Sequence, residues 1–461
     1  MHIEENDRGR RQTRRDLLGA TMLRVGVILV VAILSPLARA QYSTGPGLAD
    51  TGLTKSREIQ FKPFTVSISP VAGYDFNANG AVFVRSPQQR NQVKTASSAY
   101  AGANGSGAVN FVWPDTFLGS RISAGYIYYV NNDVQNQNRY PIDVNSTFSH
   151  AFSPRWILTA NNSFVSETGT QIGTGSALPN QAQQYYQQGT YYINNFSLNN
   201  SFLIAPRLTF NGTITYGLTR YEDQFAANTS DLDQYGISVG PTYLLNSSTS
   251  VGFSIGYNRS EHPGPIKIYS TTTNILVLVD KVNRNSDTES FTVNMSHTFS
   301  ARLSMSTSVG VTLTTFQEAN VTGNSVNPYV AVSVGYQPSE KTTVQLSYVH
   351  SISQGQYSQY LASIQDTATL TIGYELLRRI PLTISATYSN SQSDQQFNAD
   401  TAASTTFSAN EEAASIGVGT SYNLTSFASA NVAYIYTHVI SDSSFNSYDT
   451  DQITFNVNLR F

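Results

Sequence analysis

Apolar and polar residues alternate with period two along most of this chain, and helix-type apolar spacing is almost absent. Between Leu303 and Phe316, the residues Leu303, Met305, Val309, Val311 and Leu313 share one face of an extended backbone. Ser304, Ser306, Ser308, Thr312 and Thr314 share the other. Between Leu208 and Leu218, Phe210, Ile214 and Tyr216 oppose Thr209, Asn211, Thr213 and Thr215. "TTVQLSYVH" repeats the scheme with Gln345 and Ser347 on its polar face, and "PLTISATYS" with Thr383 and Ser385. The chain also closes on it: Ile453, Phe455, Val457, Leu459 and Phe461 alternate with Gln452, Thr454, Asn456, Asn458 and Arg460. Successive side chains of a strand point to opposite sides, so each segment is a strand with one apolar and one polar face. We count about 18 such segments, many of about 10–14 residues, against the roughly five or six usual in soluble sheets and the roughly 9–11 that a tilted strand needs to cross a bilayer.

The connections alternate in length. Short ones carry "FSPR" (152–155), "IAPR" (204–207), "FSAR" (299–302) and "QPSEK" (337–341). Long polar ones fall near 77–94, 131–140, 167–187, 222–232, 261–287 and 391–405. Short turns on one side and long loops on the other belong to a transmembrane barrel. The Pro-Arg and Ala-Arg turns share one pattern, which we read as a repeated hairpin solution: an apolar residue at the interface, a tight turn, then an Arg toward anionic groups. The longest loops, 167–187 and 261–287, are the candidates for folding into the lumen.

Composition decides which face is wet. Charged residues make up 12% of the chain, about half the usual share. A soluble barrel would carry Lys and Glu on its outer face, whereas the polar face here is Ser, Thr, Asn and Gln. Aromatic residues gather at segment ends. Trp156, Phe202, Phe299, Tyr336 and Tyr422 lie near short turns, and Tyr128, Tyr216, Tyr257, Tyr348 and Tyr436 toward long loops. Two such bands are interfacial girdles. A barrel of about 18 strands also encloses more volume than side chains fill, leaving an aqueous lumen. The expectation is therefore an all-β fold: a transmembrane antiparallel up-and-down β-barrel of about 18 strands (16–18), apolar outside and polar inside.

The first 40 residues read differently. Arg8, Arg10, Arg11, Arg14 and Arg15 precede the apolar run Val25–Leu34, and Ala38 and Ala40 form an A-x-A site before Gln41. This is a secretory signal peptide, 1–40, with an apolar run too short to span a bilayer. A short periplasmic segment, 41–60, and the barrel, 61–461, follow. The whole chain holds 27 Lys+Arg and 30 Asp+Glu. Removing the leader's seven basic and four acidic residues leaves 20 against 26, so no basic surface points to nucleic acid. There is no cysteine, which excludes disulfides, Cys–zinc sites and thiol nucleophiles.

With its alternating strands and apolar terminus (Ile453, Phe455, Val457, Leu459, Phe461), the chain resembles bacterial outer-membrane β-barrels, in which the last strand is read by the barrel assembly machinery. In length and strand number it is similar to porins. The resemblance covers residues 61–461 as architecture. It implies an outer-membrane location, contact with outer-membrane lipid and lipopolysaccharide, and passage of small polar solutes. The Ser/Tyr/Asn-rich strands also resemble porin-type barrels found with exopolysaccharide systems. That gives a second reading: a non-catalytic barrel component of exopolysaccharide secretion or sorting.

Catalytic patterns are missing. No His pairs with another His at metal-ligand spacing, no His has the Ser two residues on that an outer-membrane phospholipase carries, and neither G-x-S-x-G nor H-E-x-x-H occurs. Asp231/Asp233 and Asp449/Asp451, read as loop acids, remain as candidates for a divalent cation. Only about 20 residues separate the leader from the first strand, too few for the plug of a TonB-dependent transporter. The expected function is a non-enzymatic, cofactor-free channel. Its lumen is lined by neutral groups: Thr209, Asn211, Thr213 and Thr215; Ser304, Ser306, Ser308 and Thr312; Gln345 and Ser347; Thr383 and Ser385; Asn456 and Asn458. With so few charges, ion selectivity should be weak and neutral solutes such as sugars should pass.

Overall fold

A computed structural model describes residues 64–78, 96–132, 138–168, 190–221, 231–263, 266–269, 276–279, 285–317, 325–354, 362–377, 380–398, 403–442 and 447–461. The expected signal peptide, the expected 41–60 segment and the 167–187 loop beyond Thr168 lie outside these residues. The strands, in chain order, are β1 (Phe64–Asp75), β2 (Ser98–Val112), β3 (Thr116–Tyr129), β4 (Asn138–Arg139), β5 (Ile142–Ser153), β6 (Trp156–Thr168) and β7 (Thr190–Ala205). Then come β8 (Leu208–Tyr221), β9 (Leu232–Asn246), β10 (Thr249–Glu261), β11 (Ile266–Tyr269), β12 (Leu276–Val279), β13 (Ser286–Ser300) and β14 (Leu303–Phe316). The last are β15 (Ser325–Ser339), β16 (Thr342–Gln354), β17 (Ala362–Leu377), β18 (Ile380–Asn398), β19 (Ala403–Asn423), β20 (Ala428–Ser441) and β21 (Tyr448–Arg460).

Nineteen strands form one sheet, while β11 and β12 pair separately. Setting aside the two-residue β4, the sheet is a ring of 18 strands. Every neighbour pair is antiparallel, and β1 pairs with β21, so no free edge remains. Closure satisfies the backbone groups without water, which is what a bilayer demands of a spanning sheet.

The two faces separate by exposure. Ile214, Ile237, Val293 and Ile416 are each about half exposed, at 50–52%, while Thr437 and Ser389 on the opposite parity are 1% and 2% exposed. A soluble core has the reverse order. Each such apolar side chain is worth roughly 1.5–3 kcal/mol when removed from water, so a belt of them belongs against lipid. The outward aromatics bound this belt. Trp156, Phe202, Phe299, Tyr336 and Tyr422 are exposed beside short turns, and Tyr128, Tyr257, Tyr348 and Tyr388 toward the long loops.

The short turns share one local device. The last Ser of the incoming strand accepts from the N–H two residues on: Ser153 Oγ from Arg155 (3.3 Å), Ser300 Oγ from Arg302 (3.2 Å) and Ser339 Oγ from Lys341 (3.3 Å). Asn246 Oδ1 and Thr425 Oγ1 do the same for Ser248 (2.8 Å) and Phe427 (3.3 Å). Hydroxyl and amide side chains of this kind mimic the missing backbone acceptor of a tight turn. The turn residue's carbonyl then continues the ladder to the next hairpin: Leu203 N–H donates to Arg155 (2.7 Å), Leu244 to Arg207 (2.8 Å) and Gln337 to Arg302 (2.7 Å).

The closing seam differs from the other pairs. β1 and β21 pair at Ser67 and Ile68, skip Ser69 and Pro70, and resume at Val71. Pro70 has no N–H to give. The seam is closed at one end by Phe461, whose N–H donates to Val66 O (2.8 Å) and whose carbonyl accepts from Val66 N–H (3.3 Å). At the other end, Phe76 N–H donates to Asp451 O (2.9 Å) and Asn77 Nδ2 to Asp449 O (2.6 Å).

Three sequence expectations change. The 391–405 loop is mostly strand, because β18 runs to Asn398 and β19 starts at Ala403. The 261–287 loop holds the β11–β12 hairpin, and β11 lies against β18. Asp233, Asp449 and Asp451 sit in strands rather than loops.

Candidate functional site

The polar parity of the ring is the face opposite the exposed apolar belt. Thr209, Asn211, Thr213 and Thr215 on β8 lie opposite in parity to the exposed Phe210 and Ile214. Ser304, Ser306, Ser308 and Thr312 on β14 oppose Val309 and Val311. Gln345 and Ser347 on β16 flank Leu346; Thr383 and Ser385 on β18 flank Ile384; Asn456 and Asn458 on β21 flank Val457. All of these therefore share the face that turns away from the apolar belt. The terminal apolar set, Ile453, Phe455, Val457, Leu459 and Phe461, takes the opposite face, with Phe461 62% exposed.

Register brings several inner residues together. Gln345 faces Thr371, and Thr371 faces Ser385. Thr213 Oγ1 donates to Asn199 Oδ1 (3.0 Å), Asn211 Nδ2 to Thr242 Oγ1 (3.1 Å), and Asn431 Nδ2 to Asn456 Oδ1 (2.6 Å). Such neutral pairs hold the wall's side chains in place while leaving lone pairs and protons for water or solute. An indentation of about 220 Å³ along β5, β6 and β7 is lined by Phe196 and by amides and hydroxyls, among them Asn145, Thr147, Asn161, Ser163, Asn195 and Ser197.

Toward the long loops the wall gains tyrosines that the alternation did not single out. Tyr100 and Tyr129 are 4% and 1% exposed and their rings lie 5.2 Å apart. The Arg139 guanidinium stands 4.4 Å over the Tyr129 ring. Tyr100 reaches across β1 to β21, its hydroxyl 2.5 Å from Thr454 Oγ1. Gly73 permits this: a Cβ there would fall 2.4 Å from the Tyr100 ring and 2.2 Å from Ile453 O. Tyr191 and Tyr221 form a second buried pair with centroids 6.5 Å apart. Adjacent tyrosines in "YIYY" and "TYYI" were the available signal, since neighbours in a strand must point to both faces.

The acidic pairs are held by side chains. Asp233 takes two bonds from Arg220 Nη2 (2.7 and 2.8 Å), and Asp231 Oδ2 lies 3.8 Å from Arg220 Nε. Asp449 accepts from Tyr436 (2.9 Å) and contacts His438, and Asp451 accepts from Tyr434. Among the described residues, no three His, Cys, Asp or Glu side chains gather as metal ligands.

The architecture is a closed antiparallel β-barrel of 18 long strands with an apolar outer belt. No curated protein matches the chain. Solved structures similar to it include OpdK of Pseudomonas aeruginosa with vanillate, at 10% identity over 86% of this chain and 98% of that one, with a TM-score of 0.45. OccAB3 of Acinetobacter baumannii matches at 11% identity over 86% and 99%, TM-score 0.43. The siderophore receptor PirA from Pseudomonas aeruginosa matches at 8% identity over 86% and 80%, TM-score 0.42. Residues 278–461, which carry the strands from β13 to β21, match the model of the family described as Putative beta-barrel porin 2.

Proposed function

We propose that the protein is a passive outer-membrane diffusion channel for small neutral polar solutes such as sugars. The observation that carries this reading is a closed 18-strand ring with an apolar outer belt and a polar inner wall. A ring of this size has roughly a 35 Å backbone diameter, from strands about 4.8 Å apart tilted by about 40°, wider than inward side chains fill. The named inner residues, from Thr209 to Asn458, offer hydroxyls and amides in place of fixed charge. Solutes are then sorted by size and by exchange of water hydrogen bonds, with weak preference between anions and cations. Outer-membrane lipid and lipopolysaccharide surround the belt, and the strand ending at Phe461 serves as the signal for the assembly machinery. Purified protein in a planar bilayer should give discrete single-channel steps, and sugar-loaded osmotic swelling of proteoliposomes should exceed that of empty liposomes. Absence of both overturns the channel reading.

A further inference from the structure

Register places one unbroken row of hydroxyls on the inner wall. From Ser250 on β10 it passes to Ser296, Ser306, Ser333 and Ser347, each facing the next across a strand pair. It continues through Thr369, Thr387, Ser415 and Thr437 to Thr450 on β21. Rows beside it are interrupted. The row through Ser304 meets Gly335 and Gly417, and the row through Ser308 meets Ala331 and Val349. The hydroxyl row also climbs. Ser250 is the second residue of β10 after a short turn, whereas Thr450 is the third residue of β21, which starts at the opposite, loop-side end of the ring. A row drawn across tilted strands rises around a barrel, so these hydroxyls run from one rim of the wall toward the other.

Most of them are unspent. Among the described residues only the upper end is bonded, Thr437 Oγ1 to Ser415 Oγ (3.4 Å) and Thr450 Oγ1 to Asp75 Oδ1 (3.3 Å). Ser296 and Ser306 are exposed to the lumen, and Ser333, Ser347, Thr369 and Thr387 are half-buried. Directly opposed side chains on neighbouring strands stand about 5 Å apart, comparable to the width of one sugar ring. A hydroxyl both donates and accepts. A ladder of them can replace a polyol's hydration shell group by group, with no charge to trap it. Many weak, equivalent sites are what conduction needs.

We propose that this row is a track along which polyhydroxylated neutral solutes slide through the barrel. The proposal rests on the channel reading and deepens it by naming the wall and the solute class. The test removes three hydroxyls without changing charge: Ser306→Ala, Ser347→Ala and Thr387→Val together. A control triple, Thr159→Val, Ser238→Ala and Ser254→Ala, removes three hydroxyls of inward parity that belong neither to the row nor to the lining residues named above. Sorbitol and maltose uptake by proteoliposome swelling should fall about two- to tenfold per hydroxyl lost along the path in the row triple, with potassium chloride conductance unchanged and the control near wild type. Equal losses in both triples, a parallel fall in conductance, or unchanged sorbitol uptake overturns the track. If the row triple fails to insert, Ser347→Ala alone is read by sorbitol-induced current noise, which should fall; unchanged noise overturns the track. Failure of the channel reading looks different, since wild-type protein itself then shows neither conductance nor swelling.

Discussion

At the scale of single residues, the closing seam depends on a glycine. Tyr100 lies across Gly73 to reach Thr454 on the last strand, so a side chain from β2 spans β1 and ties it to β21. Gly73→Ala puts a methyl into that ring and against Ile453 O. Forcing an extra methylene-sized group into a packed site costs roughly 1–3 kcal/mol. Thermal unfolding of the detergent-solubilised barrel should show the loss. Tyr100→Ala in the same chain should relieve only part of it, because the Ile453 carbonyl still blocks the methyl. Full rescue would mean the ring alone sets the constraint. The faces give a sharper contrast between neighbours. Ile214 sits in the lipid belt between Phe210 and Tyr216, while Thr213 and Thr215 face inward. Ile214→Arg places a charge near mid-bilayer, at a cost of about 2–4 kcal/mol. Thr213→Arg keeps its charge in water. The first should lower the yield of heat-modifiable barrel on gels. The second should fold normally and turn reversal potentials in a salt gradient toward anion preference. Equal folding defects would invalidate the assignment of faces.

At the scale of elements, the turns carry a repeated stabilising bond. Replacing Ser153 or Ser300 by Ala removes the hydroxyl that accepts the Arg155 or Arg302 N–H. One net hydrogen bond is worth roughly 0.5–1.5 kcal/mol, so each variant should unfold at lower denaturant with an unchanged slope, and the pair should be additive. Strand existence was legible wherever lipid imposes a face. Ile214, Val309 and Ile416 must alternate with polar partners because one side meets hydrocarbon. It was not legible where strands rise beyond the belt. Ser391–Asn398 has no apolar period in its sequence, and it is extended as part of β18, paired with β19. The inner tyrosines escaped for a related reason. Alternation separates apolar from polar, and Tyr100, Tyr129 and Tyr191 are amphipathic enough to serve on either face. Likewise the acids near Asp231 and Asp449 looked like solvated loop residues until pairing brought Arg220 and His438 beside them.

At the scale of the whole molecule, a contact among the described residues crosses the ring. The hairpin β11–β12 is anchored between β10 and β13, yet β11 lies against β18, five strands beyond β13. In a ring roughly 35 Å across, with strands about 4.8 Å apart, that separation is roughly 25–30 Å measured straight over the opening. β11 therefore reaches from the β10–β13 side of the ring toward β18 on the loop side. Inner side chains on that side of the wall are among the least exposed of the described residues: Ser351 at 2%, Gln365 at 5% and Ser389 at 2%. If this crossing narrows the mouth, the mouth and not the wide polar wall below it sets the size limit for passage. Replacing residues 264–282 by a short Gly/Ser link leaves β10 and β13 paired through Thr249–Ser260 and removes the crossing. Single-channel conductance should rise, and solutes too large for the wild type should enter proteoliposomes, while the sorbitol-to-salt preference set by the wall persists. An unchanged conductance would place the limiting constriction elsewhere along the lumen.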